Sequence, residues 1–217
     1  MTINDFIKRK IIFKMLKPFA MVQFSPPRSG STLVFNLMRE IFNKKKIFKV
    51  HTFRNMCYEL PVVVTYRHPL DSIASSIIRY NKEPTDEELQ RQIKIFNSQG
   101  LHSLIAASAM DNVLMLKYEK FLNDYDYIFD EFESFFQIKI SSELRNSLTE
   151  KYKIENVEKK FKGGSFAEFD KKTQLHGNHI SKFKGASGYY KTFFSSEQID
   201  YLSKMYFEVI KALGYES

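Results

Sequence analysis

Two stretches of this chain place anion-gripping groups where an apolar strand gives way to a helix: Pro26-Pro27-Arg28-Ser29-Gly30-Ser31-Thr32 and Arg67-His68-Pro69-Leu70-Asp71-Ser72-Ile73-Ala74-Ser75. In the first, Gly30 lets backbone approach a ligand closely, and the N–H groups of Ser29 to Leu33 open a helix N-terminus. Ser31 and Thr32 add hydroxyls and Arg28 a fixed positive charge. Taken alone, these residues also suit an ordinary helix cap. In the second, Arg67 ends a strand and Ser75 follows eight residues later, two helical turns on, so that both converge beside the sheet edge. An ion pair with Asp71 is the structural alternative for Arg67. Two such elements in consecutive strand–helix units predict a pocket for two separated phosphates, each held by charge-assisted hydrogen bonds of roughly 1.5–3 kcal/mol.

The first loop resembles a phosphate loop, yet Arg28 stands where a Walker sequence has Gly-Lys, and no nearby strand ends in the aspartate that would hold magnesium. The expected site is a nucleotide site that uses no metal.

Around these loops the apolar pattern supplies the frame. Phe19 to Phe24, Ile47 to Thr52, Pro61 to Tyr66 and Val113 to Lys117 read as strands, with Val62-Val63-Val64 an uninterrupted β-branched run. Helices are predicted over Thr32–Phe42, from Pro69 through Ile78, over Asp86–Met110, Tyr125–Phe136 and Glu143–Tyr152, and from a Ser195/Gln198 cap to a stop at Gly214. Lys44-Lys45-Lys46 suits the negative end of a helix dipole. Strands alternating with helices predict an α/β fold with a central parallel sheet flanked by helices. The whole chain, 1–217, reads as one domain, with a basic lead-in over 1–17 and a lid-like loop over 159–190.

Bulk composition narrows the function classes. Thirty-three Lys and Arg against 25 Asp and Glu give a net charge of +8, which favours anionic partners without choosing among them. No apolar run approaches a bilayer span, and no small-residue cleavage site follows an apolar core. The lone cysteine, Cys57, excludes an internal disulfide and a multi-cysteine metal cage. A cytoplasmic setting is expected.

The order of motifs resembles that of the sulfotransferases that use 3′-phosphoadenosine 5′-phosphosulfate (PAPS), across nearly the whole chain. Arg28, Ser29, Gly30, Ser31 and Thr32 match that family's loop around the 5′-phosphosulfate, with arginine where many members have lysine. Arg67 and Ser75 match its 3′-phosphate motif at the same separation. Lys49-Val50-His51 resembles its Lys-x-His segment, in which the histidine is the base that takes the acceptor's proton, a task suited to a side chain with a pKa near 6.5. Tyr118-Glu119 is similar to a Tyr-Glu pair whose tyrosine approaches the adenine; a strand-end aromatic in the core is the alternative. Phe183-Lys184-Gly185-Ala186-Ser187-Gly188-Tyr189-Tyr190 is similar to the Arg-Lys-Gly-x-x-Gly-Asp-Trp segment that closes over the 3′-phosphate, with Phe183 at the arginine position and Tyr189-Tyr190 in place of Asp-Trp.

The resemblance implies a P-loop-like sulfotransferase fold and transfer of a sulfuryl group from PAPS to a hydroxyl or amine, with 3′-phosphoadenosine 5′-phosphate (PAP) as product and no metal. It implies His51, Lys49 and Arg28 as catalytic residues, and Arg28, Ser29, Gly30, Ser31, Thr32, Arg67, Ser75, Tyr118, Lys184 and Gly185 as cofactor contacts. The remaining histidines, His68, His102, His176 and His179, have no matching position. The acceptor is expected to be a small molecule or glycan, met by the Phe53–Glu59 loop, the Tyr80–Arg91 region and the lid; no nucleic-acid partner is expected. A P-loop kinase and a non-catalytic polyanion-binding module are the alternatives.

Overall fold

The computed structural model describes residues 11–12, 15–160, 170–175 and 185–215. In chain order the first half runs β1 (Ala20–Phe24), α1 (Ser31–Ile41), β2 (Lys46–Val50), a 3-10 turn (Asn55–Tyr58), β3 (Val62–Tyr66), α2 (Pro69–Arg79), α3 (Asp86–Ser98) and α4 (Ser103–Ala107). The second runs β4 (Val113–Lys117), α5 (Tyr118–Phe121), α6 (Tyr125–Phe136), α7 (Ser142–Tyr152), α8 (Ile154–Lys160), α9 (Tyr190–Phe193), α10 (Ser196–Met205) and α11 (Phe207–Ala212).

Every residue of β1 is buried, and the period-two alternation of a strand divides its side chains between two cores. Ala20, Val22 and Phe24 join Val62 and Val64 of β3 in one apolar cluster, covered by Leu70, Ile73 and Ile77 of α2, Leu89, Ile93 and Phe96 of α3, and the C-terminal helices. Met21 and Val63 join Leu114 and Leu116 of β4 in the other, covered by Val34, Leu37 and Met38 of α1 and by Ile128, Phe129 and Phe132 of α6. The strands pair in the order β2-β1-β3-β4, all parallel. The chain therefore makes its first crossover to one side of β1 and its second to the other, and the carboxyl ends of β1 and β3 meet at a topological switch point. Phe24 lies opposite Val50 and Val64, and Tyr66 opposite Lys117, so the loops that carry Arg28, His51, Arg67 and Tyr118 all leave from one edge of the sheet.

The predicted parallel α/β layering is observed, and several boundaries differ from expectation. Phe19 falls outside β1 and is exposed. The helix expected over Asp86–Met110 breaks after Ser98, because Gly100 takes φ +76° and the N–H of Leu101 returns to the carbonyl of Phe96, a left-handed stop. The terminal helix breaks at Tyr206, a fully buried side chain whose hydroxyl bonds Asn97 at 3.2 Å. Its start is as predicted, a reciprocal capping box between Ser195 and Gln198. Among the described residues no helix is long and apolar enough to cross a membrane.

The Gly100 stop also sets the floor of the functional edge. A β-carbon there meets the Phe24 ring at 3.0 Å and the His51 carbonyl at 3.1 Å, on a backbone that disfavours any side chain. Gly100→Ala is expected to lower stability by about 1–3 kcal/mol, read as a fall in the urea midpoint with an unchanged slope.

Candidate active site

At that edge lies a cavity of about 430 Å³ lined by Arg28, Gly30, Ser31, Thr32, Lys49, His51, Arg67, Ser75, Tyr118 and Gly185, with further residues from α2, α6, α7 and α8. The two predicted anion grips thus share one space. They are joined directly: Arg28 Nε donates to Ser75 Oγ at 3.1 Å. Among the described residues no acidic side chain lines the cavity.

The first loop folds as it does because two residues accept the left-handed conformation, Gly30 at φ 79° and Arg28 at φ 63°. For Arg28 that conformation costs about 1–2 kcal/mol, strain of the kind that collects at ligand sites. A β-carbon on Gly30 meets the Phe121 ring at 2.7 Å and the Tyr118 ring at 2.9 Å, so only glycine fits between the loop and α5. Gly30 precedes α1 without a side-chain cap, which leaves the first N–H groups of that helix to a ligand rather than to a neighbouring hydroxyl. Ser29 is expected to offer its N–H rather than its hydroxyl. Its buried hydroxyl donates to the Pro26 carbonyl at 2.8 Å and pairs with Thr65 Oγ1 at 3.2 Å, so its side chain locks the loop and only its backbone remains for binding.

Lys49 and His51 come from the end of β2. Lys49 Nζ donates to Thr32 Oγ1 at 2.9 Å, and burial pulls its pKa down to about 8. His51 Nδ1 lies 2.9 Å from the Ser25 carbonyl. A carbonyl only accepts, so Nδ1 carries the proton and Nε2 keeps the basic lone pair. The packed surroundings of the ring lower its pKa below 6.5, with the Ser25 bond opposing and the Lys49 charge adding to the shift. This imidazole is neutral at pH 7 although the residue keeps solvent access.

Arg67 is buried at the end of β3. Its Nη2 donates to the carbonyls of Gly185 at 3.1 Å and Ala186 at 2.7 Å, and its guanidinium lies over the Tyr118 ring at 4.5 Å. Nε of Arg67 is buried without a hydrogen-bond partner, a donor held ready for an anion. Asp71 is not its ion-pair partner. The Asp71 carboxylate accepts instead from the N–H of Gly188 at 2.7 Å, the N–H of Tyr190 at 3.1 Å and the hydroxyl of Ser187 at 3.3 Å. Arg67 and Asp71, one helical turn apart, together grip the peptide groups of residues 185–190. His68 stacks on Tyr190 at 4.7 Å and 3° between planes, and burial pulls its pKa down to about 4. His102 lies against Tyr206, away from the cavity lining. Lys184, Phe183, His176 and His179 lie outside the described residues, as do most of the basic lead-in and part of the expected lid.

The cations crowd one another. Burial first, then the charges of Arg79 and Arg67, lower the Arg28 pKa to about 10. Arg79, Tyr80 and Gln99 also line the cavity and were not singled out by motif. The available signal was spacing, since Arg79 follows Ser75 by four residues on the same helix face.

No protein-family model matches the chain, and no curated protein matches it in sequence. Solved structures do match in shape. A mouse sulfotransferase, SULT7A1, complexed with PAP superposes with a TM-score of 0.64 at 16% identity, over 92% of this chain and 88% of that one. A retinol dehydratase in complex with androsterone and the inactive cofactor PAP superposes with a TM-score of 0.65 at 16% identity, over 97% of this chain and 86% of that one. The chain has the sulfotransferase fold. Within it, the cavity stands at the carboxyl ends of β1, β2 and β3, where open parallel sheets bind ligands.

The Asp71 grip is testable without any ligand. Asp71→Ala leaves the N–H groups of Gly188 and Tyr190 without their acceptor, so faster hydrogen exchange is expected at those two amides while the strands β1 and β3 keep their protection. Uniform acceleration across the sheet would instead mark a general loss of stability.

Proposed function

We propose that this chain is a sulfotransferase that moves the sulfuryl group of PAPS to a hydroxyl or amine of an acceptor. The observation that carries the reading is the 3.1 Å bond from Arg28 to Ser75, which draws the two anion grips together around one cavity with no carboxylate among its described lining residues. The residues present fit such a donor: cationic groups face the same space, and Nε of Arg67 is buried with no protein partner. The PAP-bound solved structures that share the fold support the same ligand class.

When bound, PAPS supplies an electrophilic sulfuryl group on a phosphate leaving group. Arg67 and Ser75 hold the 3′-phosphate, with Gly185 beside it and Tyr118 against the adenine; Lys184, the other expected contact, lies outside the described residues. Arg28, Lys49 and the backbone N–H groups of Ser29, Gly30, Ser31 and Thr32 hold the phosphosulfate, and Ser31 and Thr32 offer hydroxyls. Their positive charge is aimed where negative charge grows during transfer, an electrostatic contribution fixed before reaction. His51 removes the acceptor's proton at Nε2, and its Nδ1 bond to Ser25 fixes the ring for that step. The acceptor is a small molecule or glycan. One domain carries the whole site, and the cytoplasm, where a lone thiol stays reduced, is its setting.

Calorimetry should show metal-independent binding of PAP, with AMP far weaker because it lacks the 3′-phosphate; a requirement for magnesium would point to a kinase. His51→Ala should lower kcat by roughly 10²–10⁴-fold and leave PAP affinity unchanged.

The pH profile of kcat/KM adds a second check. His51 must be neutral to act, so activity should fall below a pKa that lies under 6.5; Lys49 must be charged, so it should fall again above about 8. Lys49→Arg should push the alkaline limb upward and leave the acid limb in place.

A further inference from the structure

A carboxylate behind the cavity wall ties the end of β3 to the start of α5. Glu119 accepts the backbone N–H of His68 at 3.1 Å through Oε1 and the hydroxyl of Tyr215 at 2.7 Å through Oε2. Neither Glu119 nor Tyr215 lines the cavity, yet each segment that Glu119 joins carries a lining residue next to the bond. His68 follows Arg67, and Glu119 follows Tyr118, whose ring lies 4.5 Å from the Arg67 guanidinium. The carboxylate therefore sets how that guanidinium stands on its aromatic platform. Held by one oxygen alone, a glutamate carboxylate turns freely about its last torsion; the bond from the phenol removes that freedom.

Tyr215 is brought there by the way α11 ends. The N–H of Gly214 returns to the carbonyl of Lys211 at 3.1 Å and that of Tyr215 to the carbonyl of Ile210 at 3.0 Å, the paired bonds of a Schellman stop. The ring then packs at the ends of β3 and β4. Tyr66 meets it edge-on at 6.2 Å and His68 at 5.0 Å, with the Lys117 ammonium 3.9 Å from its centre. His68 in turn stacks on Tyr190, whose N–H is held by Asp71. One phenol thus reaches both parts of the 3′ grip: Arg67 by way of Glu119, and residues 185–190 by way of His68.

We propose that Tyr215 is a positioning residue for the donor, its hydroxyl acting through Glu119 to fix Arg67 against Tyr118 and so to set how strongly the protein prefers a nucleotide that carries a 3′-phosphate. This inference rests on the sulfotransferase reading of the cavity.

The test titrates the full chain with PAP and with AMP by calorimetry and reads the ratio of the two affinities. That ratio isolates the 3′-phosphate, and a merely structural role for Tyr215 weakens both nucleotides alike or neither. Tyr215→Phe keeps the ring and removes the hydroxyl; it should lower the ratio about tenfold, through PAP alone. Glu119→Ala should lower it at least as far, and Tyr215→Phe added to Glu119→Ala should lower it no further, because the two groups act as one unit. Glu119→Gln, which can still accept from His68 and donate to Tyr215, should retain part of the preference. An unchanged ratio in Tyr215→Phe, an equal loss of PAP and AMP affinity, or additive losses in the double variant would overturn the proposal. If Glu119→Ala does not fold, the Tyr215→Phe ratio decides alone. Failure of the wild-type protein to bind PAP, or equal binding of PAP and AMP, would count against the sulfotransferase reading itself, and is seen before any variant is made.

Discussion

Like charges gathered in a partly dry space repel one another, and the edge of this sheet is built around that repulsion. Arg28, Lys49, Arg67 and Arg79 line one cavity with no carboxylate among its described lining residues; burial lowers the pKa of Lys49, and burial followed by the charges of Arg79 and Arg67 lowers that of Arg28. Folding has to supply that energy from elsewhere, chiefly from the two apolar clusters on either face of β1 and β3. A bound polyanion returns it.

The means by which the cations are held is consistent across the site. Arg28 donates to a serine hydroxyl, Lys49 to a threonine hydroxyl, and Arg67 to two backbone carbonyls and onto an aromatic face. Each tether is a neutral oxygen or a ring. A carboxylate would position these groups equally well but would cancel the charge they bring to a ligand. The one buried acid at this edge, Asp71, is turned to peptide N–H groups instead. Orientation and charge are thus supplied by different atoms, which lets the cavity remain both ordered and strongly positive.

Much of this was legible in the sequence, for reasons that differ residue by residue. The layering followed from the uninterrupted β-branched run Val62-Val63-Val64, buried throughout, and from the helical spacing of α1 and α2, since both are local patterns. Arg28, Arg67 and Ser75 were legible because strand ends in a parallel sheet share an edge, so residues distant in the chain converge by topology, whereas His51 was singled out by the resemblance of Lys49-Val50-His51 to a Lys-x-His segment. What escaped was decided by tertiary contacts. Asp71 looks like a partner for Arg67 until the chain returns at residue 188, and the stop at Gly100 depends on the Phe24 ring and the His51 carbonyl lying against it.

The grip of Arg67 and Asp71 on residues 185–190 is made almost wholly to main-chain atoms. Recognition of that kind is blind to the side chains it holds. Substitutions at Ala186 or Tyr189 leave every one of those bonds available. At position 190 proline is the one residue that removes a donor from Asp71. The course of the strap is therefore set by its main chain and tolerates a change of side chain wherever the N–H or carbonyl is kept.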